Sequence, residues 1–415
     1  MFTGFVIFLP LLVTMVLAML LGLDLLDEPD NYVARTKTWL LVFVLTCVFL
    51  YAGHAAYFTY SYELIPVSDT LYNYCSPAVY PAYYIYVCEL SHSRRHWYSG
   101  FGWLIAPLLC CLGVGVCYVL MDEQAKRVFY DNYLYANDLS DLSGMALVQA
   151  YAHEVEKWVF CLEIVPLAVL ALRRIRRYND LVQSNYADAS QHSLVMVRLM
   201  FVLFLVTSVL SAFSNMLGRY RFLDDTSLLA FPSVVFSLLI FMQVYIGMRY
   251  NYPAIADDGA DTGPQEGMLE KTAAAAPQVS DRNEKARQEA AERMRELRRR
   301  IEKLMDEEKI FLQNGLKISD LAEQLCCNRN YIYRAINVEM GISFAEYVNK
   351  KRVDYAKQMI EQKPDLQMNE LYMRVGFSSS SSFYRCFRQF EGCTPKELQE
   401  RLRKDKQQTS LTATP

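Results

Sequence analysis

The rhythm of apolar positions divides this chain in two. Before residue 250 they come in long, nearly unbroken runs; after residue 280 they recur every three or four positions among charges. Seven apolar segments can be read in the first part, at about 5–23, 39–60, 71–90, 101–121, 155–172, 194–217 and 228–248. Each is judged against the roughly 20 residues that an α-helix needs to cross a bilayer. The third is rich in tyrosine and holds Pro77 and Pro81, and the fifth is the shortest. A buried helix of a soluble protein can also be apolar all round, but seven in succession point to a membrane bundle.

The last quarter reads as two helix-turn-helix units in tandem, joined by a longer helix. In LKISDLAEQLCCNRNYIYRAINVEMG, the positions Ile318, Leu321, Ala322 and Leu325 have helical spacing, Ser319 is a candidate N-cap, and Cys326 and Cys327 fall at the turn. A second short helix from Asn328 buries Ile332, Ala335 and Ile336 and leaves Asn330, Tyr333, Arg334 and Asn337 on its other face. The stretch LQMNELYMRVGFSSSSSFYRCFRQFEG repeats this order, with Gly376 in the turn, Phe383, Cys386 and Phe387 buried, and Gly392 closing the last helix. A helix presented this way fits the major groove, and two can fill successive grooves.

The run GFSSSSSFYRCFRQFEGCTP, with Gly376, Phe377, Ser379, Phe383, Phe387, Gly392 and Pro395, resembles the signature of AraC/XylS-type bacterial regulators. The upstream LAEQL, YIYRAIN and GISFAEYVNKKRVDYA are similar to that family's first unit and linker helix, so the resemblance covers roughly residues 296–404. It departs at Tyr372, where the family usually has a small residue, at Gln399, where an arginine is usual, and at Cys326, where glycine is common. A tyrosine at 372 should push the two helices of the second unit apart or swing outward. The resemblance implies a base-facing set of Asn330, Tyr333 and Arg334 in the first unit and Ser380, Ser381, Tyr384 and Arg385 in the second. These lie opposite the apolar faces, and arginine and asparagine can take guanine and adenine in bidentate fashion. Arg329, Lys350, Lys351, Arg352 and Arg388 are expected to meet phosphates, which position a protein on DNA without reading sequence.

Charge sharpens the division. The 415 residues sum to −3, yet residues 282–406 carry 26 Lys and Arg against 20 Asp and Glu, a net of +6 that leaves −9 elsewhere. A basic C-terminal module suits nucleic acid. No Lys or Arg precedes the first apolar segment, so it lacks the basic flank of a secretory signal and its start is expected outside. Seven crossings from there place the C-terminus in the cytoplasm, with Arg35 and Lys37, Arg94 and Arg95, Arg173 to Arg177, and Arg249 on the inner side. Lys126, Arg127, Arg219 and Arg221 are exceptions on the outer side, where the long loop 122–154 remains acidic.

Residues 251–281, rich in Ala, Asp, Gly and Pro, read as a flexible linker whose end-to-end distance is on the order of 30 Å. A charged helix follows at 282–310, where Ala290, Met294, Leu297, Ile301 and Leu304 make a heptad seam of barely two repeats. That is short for a coiled coil, so the helix is expected to pack on the first helix-turn-helix unit, a short homodimer seam being the alternative. The DNA-binding domain is placed at 311–405, with a disordered tail at 406–415.

Polar residues inside the apolar half are functional candidates by default. His54, Tyr57, Tyr72, Tyr80, Glu163 and Asn215 could line a ligand pocket open to the outside, the alternative being an interfacial tyrosine belt. Seven of the eleven cysteines accompany the apolar segments and none pairs as CxxC, so reduced thiols and no metal site are expected. No Ser/His/Asp order, HExxH motif or P-loop points to an enzyme, and no cofactor is implied. The expectation is an all-α protein: a seven-helix transmembrane bundle at 1–250 in a bacterial inner membrane, followed by a cytoplasmic double helix-turn-helix domain. Its partners would be double-stranded DNA, the lipid bilayer, and either a small-molecule ligand or a partner membrane protein. A transporter or enzyme bundle with an attached regulator is the remaining alternative.

Overall fold

The structure, a computed structural model, describes residues 2–28, 31–91, 97–189, 194–217, 226–249, 280–363, 366–368 and 370–412. Among these residues the elements are helical, and they form two compact units. The first comprises Met1–Arg177 with Leu194–Ala256, and the second Tyr178–Ser193 with Asp257–Pro415. The expected boundary near 250 is therefore one of three crossings between units. The expected linker at 251–281 lies, but for its last two residues, outside the described residues.

The first unit holds α1 (Phe2–Leu26), α2 (Asn31–Phe58), α3 (Ile65–Leu90), α4 (Ile105–Leu120), the short α5 (Glu123–Val128), α6 (Gly144–Asn185), α7 (Val195–Leu217) and α8 (Ala230–Arg249). All seven apolar segments fall on helices. Four described stretches, Gly4–Leu26, Val33–Phe58, Gly100–Leu120 and Ala230–Met248, are long and apolar enough to cross a membrane; among the described residues the other three apolar segments do not meet that measure. The helices differ in their surroundings. The tyrosine-rich α3 is surrounded by its neighbours, with 20 of its 26 residues buried, whereas α1 and α4 turn Leu12, Met19, Leu23, Leu109 and Val119 outward. α6 is a 42-residue helix whose apolar middle is flanked by charged turns, and its last two turns, from Tyr178, belong to the second unit.

Residues 122–154 are structured. Asp122 caps α5 through its Oδ1, a π-helical turn at Phe129–Leu134 follows, and Phe129, Tyr130 and Tyr133 pack with Tyr57, Tyr118 and Ile65 in an aromatic cap. Beneath it lies a buried polar knot. The Asp69 carboxylate accepts from Tyr118 Oη (2.8 Å) and lies 2.7 Å from His153 Nε2, which is 3.2 Å from Asn73 Nδ2. Removing a carboxylate from water requires such partners.

The second unit contains α9 (Ser280–Asp306), α10 (Ile318–Gln324), α11 (Arg329–Tyr333, widening into a π-helical turn at Arg334–Glu339), α12 (Phe344–Gln362), α13 (Leu371–Arg374), α14 (Ser380–Glu391) and α15 (Pro395–Thr412). α9 buries Leu297, Ile301, Leu304 and Met305 against Leu321, Leu325, Ile332, Ile336 and Val348. Arg300 Nη2 adds a 2.8 Å bond to the carbonyl of Leu325. The charged helix thus uses its apolar stripe within its own chain. α15 continues to Thr412, into the stretch expected to be a disordered tail.

Candidate nucleic-acid interface

Each candidate recognition helix begins with a side-chain cap that frees a polar face. Asn328 Oδ1 accepts from the amide of Asn330 (2.9 Å), and Ser379 Oγ accepts from the amide of Ser382 (3.3 Å). Below these caps Ile332, Ala335 and Ile336 are buried in one core, and Phe383, Cys386 and Phe387 in another. The opposite faces leave Asn330, Tyr333, Arg334, Ser380, Ser381 and Arg385 exposed, with Tyr384 half-buried. The helix before the first turn starts differently from expectation. Its cap is Lys317, whose amide donates to Asp320 Oδ2 (2.8 Å), and Ser319 lies inside the helix.

The expected phosphate contacts divide. Lys350 and Arg388 are exposed, and Arg329 is half-buried. Lys351 is engaged by Asp306, at 2.6 Å. Arg352 cannot reach a phosphate, because its side chain is 0% exposed. Its Nε donates to the carbonyl of Phe311 (2.7 Å), Nη2 to the carbonyl of Gln313 (2.8 Å) and Nη1 to Asp188 Oδ1 (3.1 Å). Burial pulls the guanidinium's pKa down while the Asp188 carboxylate opposes that, and an arginine stays charged throughout. Heptad and groove patterns carry no sign of this inward arginine, whose carboxylate stands 164 positions away.

The departures from the family pattern are accommodated. Tyr372 is half-buried against the second unit's core. Gln399 is buried and donates to the carbonyl of Leu366 (2.8 Å). Gly376 has φ +88, and a Cβ there would stand 2.7 Å from the Phe311 oxygen, so only glycine fits the turn. At the equivalent turn of the first unit Cys326 adopts φ +49.

The candidate ligand residues are in the first unit. A cavity of about 330 Å³ is lined by His54, Tyr72 and Tyr80 with Tyr51, Ser76 and Ser208, and among the described residues no Asp, Glu, Lys or Arg contributes to its wall. Tyr57 and Glu163 do not line it. Tyr57 donates its hydroxyl to the carbonyl of Leu134 (3.0 Å), which holds its ring in the aromatic cap, and α6 meets the cavity only through Phe160. The side chain of Asn215 lies outside the described residues. Among the described residues no group of three or more His, Cys, Asp or Glu side chains could hold a metal.

The sequence profile of the family described as helix-turn-helix domain matches residues 321–401. The C-terminal unit carries an AraC-type helix-turn-helix domain. Its relatives include the probable transcriptional regulator LumQ of Photobacterium leiognathi, 37% identical over 90 residues, which are 21% of this chain and 35% of that protein. The HTH-type transcriptional regulator YtdP of Bacillus subtilis is 31% identical over 91 residues, 22% of this chain and 12% of its own. The Msm operon regulatory protein of Streptococcus mutans is 27% identical over 89 residues, 21% of this chain and 32% of that protein. The chain thus spans about a third or less of the length of each relative. No solved structure matches the chain.

Cys326 supplies a stability test of this domain. An L-residue at positive φ is strained by about 1–2 kcal/mol, and glycine removes that strain while adding entropy to the unfolded chain. Cys326→Gly is expected to stabilise the domain by about 0.5–1 kcal/mol, read as a higher threshold for proteolytic cleavage of the C-terminal unit in denaturant.

Proposed function

We propose that this chain is a membrane-embedded, sequence-specific transcription regulator that couples a signal received by its N-terminal bundle to DNA binding. The carrying observation is the pair of capped helices that bury apolar residues on one side and turn Asn330, Tyr333, Arg334, Ser380, Ser381 and Arg385 outward on the other. Arginine is the residue best suited to a bidentate contact with guanine, so Arg334 and Arg385 are assigned to base edges. Lys350 and Arg388 are assigned to phosphates. Tyr333 and Tyr384 stand beside the arginines, where thymine methyl groups would meet their rings.

Four described helices of sufficient length and apolarity support membrane embedding. Arg334→Ala and Arg385→Ala are each expected to weaken binding to a selected duplex by about 1–3 kcal/mol while leaving binding to random DNA nearly unchanged, in titrations at fixed salt. Unchanged affinity for the selected duplex would remove the groove assignment.

DNA binding requires the C-terminal unit on the cytoplasmic side. A reporter fused after position 250 is expected to give the cytoplasmic signal, and an outside signal would rule the reading out.

The signal assigned to the bundle is a small uncharged molecule in the cavity beside His54, Tyr72 and Tyr80. Among the described residues the wall has aromatic faces and hydroxyls but no Asp, Glu, Lys or Arg. A volume near 330 Å³ accommodates about ten to fifteen non-hydrogen atoms. Uncharged aromatic fragments of that size are expected to raise the thermal midpoint of the full-length protein, and Val79→Trp, which fills the cavity, to abolish the shift. A panel of such fragments that leaves the midpoint unmoved would count against this signal.

A further inference from the structure

The segment between α6 and α7 is an integral part of the second unit. Ala187 is fully buried in its core; its amide donates to the carbonyl of Leu316 (3.0 Å), and its own carbonyl accepts from Asn349 Nδ2 (3.0 Å). Tyr186 forms an antiparallel bridge with Lys317, whose ammonium lies 5.6 Å over the tyrosine ring. Asp188 is 5% exposed and uses both carboxylate oxygens, Oδ1 for Arg352 and Oδ2 for the amide of Gly315 (3.2 Å).

What Asp188 holds is the junction between the two helix-turn-helix units. Arg352 lies on α12, the helix that joins them, and grips the carbonyls of Phe311 and Gln313. The turn of the second unit rests on the same stretch, because Gly376 approaches the carbonyls of Phe311 and Leu312 too closely for any Cβ. The Phe377 ring, next in sequence, lies 5.3 Å from the Arg352 guanidinium carbon. First-unit core, joining helix and second-unit turn thus meet at one buried cation, whose carboxylate comes from the connection between two helices of the bundle. α6 is one unbroken helix from Gly144 to Asn185, so the residues carrying Asp188 continue directly from a helix of the first unit.

We propose that Asp188 is a positioning residue of the DNA-binding domain: through Arg352 it fixes the spacing and phase of the two recognition helices, and it is the point at which α6 acts on DNA reading. This rests on the DNA-binding reading above. A cation losing the Asp188 carboxylate in a dry site retains two carbonyls and the Asn349 amide oxygen, none of which neutralises it, so the junction loosens there first. Each helix-turn-helix unit keeps its own apolar core. The loss therefore falls on the relation between the two halves of the DNA site and much less on either half.

The test uses the full-length protein and the duplex it enriches from a random pool. Inserting one base pair between the two half-sites changes both their spacing and their angular phase about the DNA axis. The wild type is expected to lose affinity on the order of tenfold on that insertion, and Asp188→Ala to lose about threefold or less. Binding of Asp188→Ala to the uninterrupted duplex should also weaken, while its sensitivity to base changes within one half-site persists. Asn349→Ala releases the carbonyl of Ala187 and removes the Oδ1 that accepts from Arg352 Nη1 (3.5 Å), but keeps the Arg352–Asp188 pair, so it tests the same clamp if Asp188→Ala does not fold; its insertion penalty should fall between the two. A wild-type insertion penalty retained in full by the folded variants would overturn the proposal. If the wild type enriches no duplex at all, the DNA-binding reading itself falls, an outcome distinct from a preserved penalty.

Discussion

An arginine side chain can be taken wholly out of water only if its donors find acceptors and its charge finds an opposite charge. Arg352 meets that requirement with two carbonyls of one short turn and a carboxylate from far upstream. The requirement then propagates. The Phe311–Gln313 turn must present its oxygens inward, the joining helix must lie over it, and the next turn must carry a glycine to approach the same oxygens. Replacing such a charge cluster with apolar groups can be neutral for stability, so the role proposed for it is to fix a single arrangement of the parts.

The first unit solves a similar problem with tyrosines. A helix enclosed on all sides by other helices has no lipid-facing stripe, and α3 fills its surroundings with Tyr72, Tyr80, Tyr83, Tyr84 and Tyr86. Phe43, Phe201 and Phe204 stand within ring-contact distance of Tyr83. Aromatic side chains supply large buried area with a polar end that can still find a partner, which suits the centre of an apolar bundle. The Asp69, His153 and Tyr118 knot sits where three helices meet under the aromatic cap, and ties α3, α4 and α6 to one another.

Local chemistry was the readable part of the sequence. The tandem helix-turn-helix order, the buried phenylalanines of α14, the left-handed Gly392 and the inward face of α9 all follow from spacing within about ten residues. Hydropathy located every long helix of the first unit but misjudged several ends. The apolar run 155–172 is only the middle of α6, because its charged turns continue the helix without adding to an apolar window. Averaging over a window cannot separate a helix enclosed by protein, as most of α3 is, from one with an outward apolar face, as α7 has at Val195, Leu199, Val206 and Val209. Arg352 was read as a phosphate contact because it follows Lys350 and Lys351 in a basic run. Its inward direction depends on Asp188, and no periodicity links positions so far apart in the chain. The candidate pocket was legible only through residue type, and Tyr57 shows the limit of that reasoning: its hydroxyl is committed to a backbone oxygen of the cap.

The position of Asp188 in the gene order has a consequence for how such a protein can be recombined. A DNA-binding domain attached by a tail alone could be cut out and grafted behind another protein. Here residues 178–193, which lie between two stretches of the first unit, also belong to the second. A graft that begins after position 280 leaves the buried Arg352 cation without the Asp188 carboxylate. The two halves are exchangeable only when that short insert travels with the C-terminal part, so the chain is modular in outline and interlocked in fact.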